Sequence, residues 1–460
     1  MDAEFAARKV ALLAECKMDG QVFEQVLPRL ETFLEPFVDS LVRREQVEHA
    51  VMFVRGLLSD LDHKNVESIA YRFGEERLPL QWFIGTSEWG DEPLRDELVR
   101  EVAAELGAPD GVLVFDPSAF PQSGRESVGV ARQWCGRLGK LENCQVAVYL
   151  GYVSGHEHAL VDMRLYLPKE WTNDKPRCRK AGVPKERQRH RTRHALCLEM
   201  LRQHGPQLPH AWIAGDDELG RPYAFRRELQ ELHERYLLAV PCNTLIRDLE
   251  SAEPPYSGHG RRPQRPWQRV DRWLAAMPDT AWTRIEVRDG SKGPLTVEIL
   301  KCRVVARAPK RTTGHNETLV VIRYKDRDDQ HVLKTDYYLS NAATDTPLAE
   351  FARVAKAEHR IEECLQRAKS EAGLADYEVR NWIGWHHHQT LSLIATWFLI
   401  MEACRGKKMD PGNNTPTSPR RHLPDSSPRL SVRHALSPPA RTRTTTTTQP
   451  TRSIPSLEKT

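Results

Sequence analysis

Three acidic residues stand where metal-assisted phosphoryl transfer would want them. Asp116 closes the apolar run Val112-Leu113-Val114-Phe115, and Asp216 follows Ala211-Trp212-Ile213-Ala214 after one glycine, Gly215. Glu362 stands in a helix-like segment, Arg360-Ile361-Glu362-Glu363-Cys364-Leu365. About 100 residues separate the first two acids and about 146 the last two. Cutting or exchanging a phosphodiester needs an activated water or 3′-hydroxyl and a stabilised leaving oxygen. Two divalent ions roughly 3.5–4 Å apart supply both when carboxylates hold them and leave positions open. An all-oxygen set suits Mg²⁺, with Mn²⁺ able to substitute. In this reading Asp116 bridges the two ions, Asp216 binds one and Glu362 the other. The plainer alternative for a strand-end aspartate is a helix cap or a solvated loop residue. Asp217 and Glu363 adjoin the chosen acids, and adjacent strand residues point to opposite faces, so only one of Asp216 and Asp217 should reach an ion.

The elements that must position these acids are legible in outline. Residues 1–105 read as a helical domain, with Val47, Ala50, Val51, Val54, Leu57 and Leu58 on one helix face. Asn65 is placed to cap a short helix, and Asp91-Glu92-Pro93 reads as another helix start. Strands are expected at 111–116, 144–153 and 159–167, a helix at 193–204, a strand at 211–215, a helix at 222–235 and a strand at 236–240. The order β-β-β-α-β-α-β is that of a ribonuclease-H-like α/β fold, a mixed sheet with flanking helices, whose first and fourth strands are adjacent. Residues 106–241 would form its first part and 350–408 its C-terminal helical part. Between them, 242–349 reads as a β-rich insertion, with alternating stretches at 283–288, 295–307, 318–324 and 331–339. From about 409 to 460 Pro, Ser, Thr and Arg dominate, and Thr444 to Thr448 is a homopolymer. Such a segment buries too little apolar surface to order itself and reads as disordered.

Longer words around the acids carry a family resemblance. Phe115-Asp116-Pro117-Ser118-Ala119-Phe120-Pro121, then Ser127 to Gly136 with Arg132-Gln133-Trp134-Cys135-Gly136, then Glu142-Asn143-Cys144-Gln145 and Arg164 to Pro168 resemble the DDE transposases of bacterial insertion sequences, the group of DDE superfamily endonucleases. Ile213 to Gly220, and Glu358 through Trp385-His386-His387-His388, resemble that family's later blocks, so the likeness spans roughly 45–408. It implies a β-rich insertion between the second aspartate and the glutamate, double-stranded DNA as substrate and a dimer in the synaptic complex. It also favours Asp216 over Asp217. The related motif Tyr-x2-Arg-x3-Glu-x6-Lys places Lys369 seven residues after Glu362, but Ala355 and Glu358 occupy its tyrosine and arginine positions. Arg360 or His359 could take over the phosphate contact. The family normally continues past Arg405-Gly406-Lys407-Lys408 into a short helix, and the abrupt change near 409 raises the idea of a frameshift.

Composition narrows the partners. The net charge is only +4, so DNA contact must come from local patches. Lys169 to Arg193 holds ten basic residues against three acids, including Lys185, Arg187, Arg189 and Arg191. A second cluster has Arg261, Arg262 and Arg265 beside Trp267. Arginine forks suit phosphates and an aromatic could stack on an unpaired base, although a charge run is often only a solvated face. Arg132 and Lys369 join the candidate DNA-binding set. The nine cysteines form no Cys-x-x-Cys pair and read as reduced thiols. No apolar leader or span is present, which points to a cytoplasmic, nucleoid-associated protein without membrane contact. Consecutive histidines on a helix point in different directions, so His386-His387-His388 reads as structural. The function these features favour is end cleavage and strand transfer by an insertion-sequence transposase. Its rivals are a same-fold nuclease that does not join strands and a decayed copy that only binds DNA.

Overall fold

The structure, a computed structural model, describes residues 25–155, 157–288, 295–309, 314–326 and 331–409. The first 24 residues and the Pro/Ser/Thr/Arg-rich tail, with the frameshift idea attached to it, lie outside the described residues.

Five helices come first: α1 (Val26–Val38), α2 (Arg44–Leu57), α3 (Val66–Phe73), α4 (Arg77–Gly85) and α5 (Glu92–Leu106). Their inward faces repeat every three or four residues, as with Ala50, Phe53, Val54 and Leu57 on α2. Asn65 caps α3 as expected, accepting from the Ser68 N–H at 2.8 Å. Asp91 precedes α5 but makes no side-chain cap bond and instead pairs with Arg95.

The sheet strands are β1 (Val112–Pro121), β2 (Ala131–Cys135), β3 (Lys140–Val153), β4 (His158–Leu165), β5 (Trp212–Gly215) and β6 (Tyr236–Ala239). Helices α6 (Lys169–Thr172), α7 (Lys175–Lys180) and α8 (Arg193–His204) follow β4, while α9 (Asp217–Gly220) and α10 (Tyr223–Glu231) follow β5. β3 pairs antiparallel with β1 and β4, β5 lies parallel to β1, and β6 parallel to β5. The spatial order β4-β3-β1-β5-β6 therefore departs from chain order only where β5 crosses to the far side of β1.

Two strands differ from expectation. Most of the Arg132 to Gly136 word, where no strand is expected, forms β2, which pairs with the first residues of β3 because that strand begins at Lys140 and not at 144. β1 also continues past Asp116 to Pro121. A proline fits a strand only where its nitrogen faces no ladder partner, and β5 has already ended at Gly215 when β1 reaches Pro117.

After β6 come β7 (Leu245–Asp248), β8 (Gln268–Arg269), α11 (Val270–Ala275), β9 (Thr283–Arg288), β10 (Leu295–Ala306), β11 (Asn316–Lys325) and β12 (Val332–Ser340). β12 pairs antiparallel with β6, so one mixed sheet runs on through β12-β11-β10-β7-β8. Period-two alternation divides these strands between two cores. Ile299, Val320, Ile322 and Tyr338 face the main core, while Leu300, Leu319, Val321 and Leu339 cover a smaller one closed by Val270 and Trp273 of α11.

Helices α12 (Leu348–Glu371) and α13 (Trp382–Met409) return to the start of the sheet. α12 packs across β1, β3, β4 and β5. α13 is buried on nearly every face between Trp385 and Phe398, against β4, α2 and α4. Its three histidines serve four carbonyls: His386 that of Trp382, His387 those of Ile84 and Trp89, His388 that of Gly373. Among the described residues no helix is long and apolar enough to cross a membrane.

Candidate active site

Register alone brings the two aspartates together. Val112 to Phe115 lie opposite Trp212 to Gly215 in the parallel β1–β5 pair. The next residue on each strand is an aspartate, so Asp116 and Asp216 leave neighbouring strands at one level. Gly215 permits this: a Cβ there would sit 2.8 Å from Leu219 Cδ1 and 3.2 Å from the Phe115 carbonyl oxygen. Asp216 then starts α9, its Oδ1 accepting from the Leu219 N–H at 3.1 Å. The capping role weighed from sequence therefore coexists with an inward-facing carboxylate. Asp217 is exposed and pairs with Arg221 at 3.3 Å, facing away.

The third acid comes from α12. Gly151 on β3 leaves room for Ile361, whose Cδ1 lies 2.4 Å from where a Cβ would stand, so the helix rests close on the sheet beside Glu362. Glu362 is about half exposed, with a side-chain accessibility of 57%, and lies 3.4 Å from His359 Nδ1; the same imidazole reaches Glu363 at 3.3 Å. Lys369, two turns on, donates to Ser118 Oγ at 2.6 Å and lies 4.9 Å from the Phe120 ring centre. Asp116, Ser118 and Phe120 alternate along one face of β1, so Lys369 lies next to Asp116 along the strand. Arg360 is turned elsewhere, donating to the Ser154 carbonyl at 3.1 Å.

The electrostatics are those of crowded anions. The Asp116 carboxyl makes no hydrogen bond among the described residues; burial, then the Asp216 and Glu362 charges, push it up to about 8, with Lys369 opposing. Burial followed by the Glu218 carboxylate pushes Asp216 up to about 7. A fourth acid belongs to the same group. Glu358, one turn before Glu362, is held well above the usual carboxylate range by burial and then by Asp216, Glu362 and Asp116. By sequence Glu358 stands only where the motif has an arginine. Its spacing of four from Glu362 is the signal that puts both on one helix face. Asp336 on β12, paired to Lys334 at 3.0 Å, contributes to the same field.

These carboxylates offer only hard oxygen donors, and the four crowded acids are opposed by Lys369 beside Asp116 and, from the rim, by Arg193 and Lys334. That donor set fits Mg²⁺ or Mn²⁺. Among the described residues no three such side chains already converge at ligating distance.

The basic candidates divide into two places. Arg193 bonds Glu218, at 2.6 Å and 2.5 Å, and Gln133 on β2, at 3.2 Å, tying the 185–193 segment and β2 to the rim of the acid cluster. Arg132 is exposed on β2, on the same face as the exposed Trp134. Lys185 and Arg189 are exposed, whereas Arg187 and Arg191 both pair with Glu199. Arg261, Arg262, Arg265 and Trp267 lie elsewhere, in the loop before β8, where Arg265 donates to the Ser251 carbonyl at 3.0 Å. Trp267 stacks on Arg247, the guanidinium carbon 4.2 Å from the ring centre.

Comparison with known proteins gives the family. A 117-residue stretch is 32% identical to the probable transposase for insertion sequence element IS701 of Microchaete diplosiphon, covering 25% of this chain and 30% of that protein. Residues 36–294, more than half of the chain and including both aspartates but not Glu362, match the family described as DDE superfamily endonuclease. By that match the chain belongs to the DDE superfamily of endonucleases.

Proposed function

We propose that this protein is an insertion-sequence transposase that cleaves double-stranded DNA at terminal inverted repeats and joins the freed 3′-ends to target DNA. The observation that carries the reading is the side-by-side placement of Asp116 and Asp216 at the ends of paired parallel strands, with Glu362 presented to them by α12. The strand order β4-β3-β1-β5-β6 is the one that a ribonuclease-H-like core would have, and it supports this reading. Asp116, Asp216 and Glu362 would hold two Mg²⁺ ions, or Mn²⁺ in their place, which activate the attacking oxygen and stabilise the leaving one.

The chain's own residues have separable tasks. Asp216 is fixed by the Leu219 N–H, so its second oxygen is aimed by the start of α9. Lys369, on the Asp116 side of β1, offers a cation to a scissile phosphate. Arg132, Lys185 and Arg189, exposed around the rim, provide phosphate contacts. A homodimer in the synaptic complex and a cytoplasmic site of action belong to the same reading.

The test is a labelled duplex taken from the DNA flanking the gene, incubated with Mg²⁺ and wild type or Asp216→Ala. Nicked and joined products that vanish in the variant are expected. Cleavage without joining would leave a nuclease of the same fold, and binding without cleavage would leave a DNA-binding copy that has lost its chemistry.

A further inference from the structure

The two arginine-rich segments are electrostatically unlike. Around the acid cluster, Arg187 and Arg191 share Glu199 and Arg193 takes Glu218, so much of the positive charge is already answered. At the far edge of the sheet it is not. Arg247 leaves β7 on the face opposite the buried Asp248 and meets Trp267, one step beyond the Ile246–Gln268 pair of β7 and β8. Its Nε is buried without a hydrogen-bond partner, and no ion pair to Arg247 or Arg262 exists among the described residues. Arg262 stacks only on Tyr256, at 5.9 Å, while the one hydrogen bond of Arg265 leaves its terminal nitrogens available.

Arg247, Arg262, Arg265 and Trp267 line one pocket of about 520 Å³, together with Val305 and Asn316. Glu253, also in its wall, pairs with none of them. A buried guanidinium N–H without an acceptor is costly, and the Arg247 Nε, held beside the Trp267 ring, fixes the fork in place. An oxyanion that accepts from several guanidinium nitrogens would satisfy all three groups together.

We infer that this pocket is a phosphate site that seats a backbone phosphodiester of a DNA strand, with Arg247 as its fixed base and Arg262 and Arg265 as its rim. Trp267 then acts as a platform for Arg247 and not as a stacking surface for a base. The site is separate from the acid cluster. β7 is five strand positions from β5, roughly 24 Å at ~4.8 Å per strand. It also opens at the end of β10 opposite the Glu298–Arg323 pair that faces the acid end. DNA engaged at both places must therefore cross the sheet. The inference rests on the transposase reading for its choice of DNA as the source of the phosphate.

The test is duplex binding by the full chain in EDTA, followed by fluorescence anisotropy over a series of salt concentrations, for wild type, Arg247→Gln and Arg262→Gln. Each variant should bind end and unrelated duplexes more weakly by a similar factor. Each should also flatten the dependence of log K on log salt by about 0.9 for the lost phosphate. Arg262→Gln lies on an exposed loop and decides the matter if Arg247→Gln proves unfolded by circular dichroism. Unchanged affinity and slope in the folded variants would overturn the pocket while leaving the transposase reading intact. Failure of the wild type to bind any duplex would overturn both. In a parallel titration with AMP, loss of AMP binding in the variants with an unchanged duplex slope would overturn it in favour of a free nucleotide.

Discussion

Asp116, Asp216, Glu358 and Glu362 repel one another in a partly desolvated space, so without a cation they oppose folding. Neutralising one should help. Asp216→Asn, which keeps an oxygen for the Leu219 N–H, is expected to melt about 2 °C higher than wild type in EDTA, the shift that ~1 kcal/mol gives in a large domain. Adding Mg²⁺ should raise the wild-type melting temperature and leave the variant's unmoved. A wild type indifferent to Mg²⁺ would count against a metal centre here. The two aspartates were legible because each ends an apolar run, and a strand's end is where a side chain leaves the sheet. Glu358 was not, because a one-dimensional motif records which residue is missing and not how deeply its replacement is buried.

At the scale of elements, α12 decides whether the acids meet. Gly151→Val would drive its side chain into Ile361 and lift the helix beside Glu362. Overpacking of this kind costs about 1–3 kcal/mol, and a ~1 Å displacement near reacting groups costs about 100-fold in rate. Cleavage should fall by about that factor while duplex binding is retained. The far end of α12 is held by Lys64, buried with its amine on the carbonyls of Leu57, Ser59 and Glu371. Lys64→Met should lower stability by about 3 kcal/mol or more, read by urea denaturation. On α13, burial lowers His386 and His388 to about 4. Their folded values lie below the unfolded value near 6.5, so the unfolded chain binds more protons and stability is lost as pH falls from ~6.5 to ~4, by on the order of 3 kcal/mol per group. His388→Gln, able still to donate to the Gly373 carbonyl, should flatten that slope. Helices and strands with clean periodicity were readable: the helix at 193–204 stands as expected and 295–307 differs from β10 by a residue. β2 escaped because Arg132, Gln133 and Trp134 show no apolar alternation; it is a strand through its partner β3.

The whole molecule is joined by buried ion pairs that cross its regions. Asp162 on β4 meets Arg95 of α5, Arg164 and His204 of α8, and these partners hold it well below the usual carboxylate range despite its burial. Asp162→Asn leaves two buried arginines short of their counter-charge and should cost about 3–5 kcal/mol, seen as a fall in the denaturant midpoint. For wild type this contribution is complete above the unfolded value near 4 and fades as pH drops below it. Long-range joins of this kind have no local sequence signal. The alternating stretches of 242–349 predicted strands, but not that β12 would pair with β6 and make one sheet of both regions.

That pairing has a consequence for the chain as it is made. β6 ends at Ala239 and its outer neighbour begins at Val332, so for about 90 residues of synthesis a row of buried-type N–H and C=O groups stands open at the edge of a finished half-sheet. An open edge is a template for any other strand. At ~5–20 residues per second the exposure lasts roughly 5–18 s on each ribosome. Fragments that stop between 240 and 331 keep it permanently and should be recovered as aggregates.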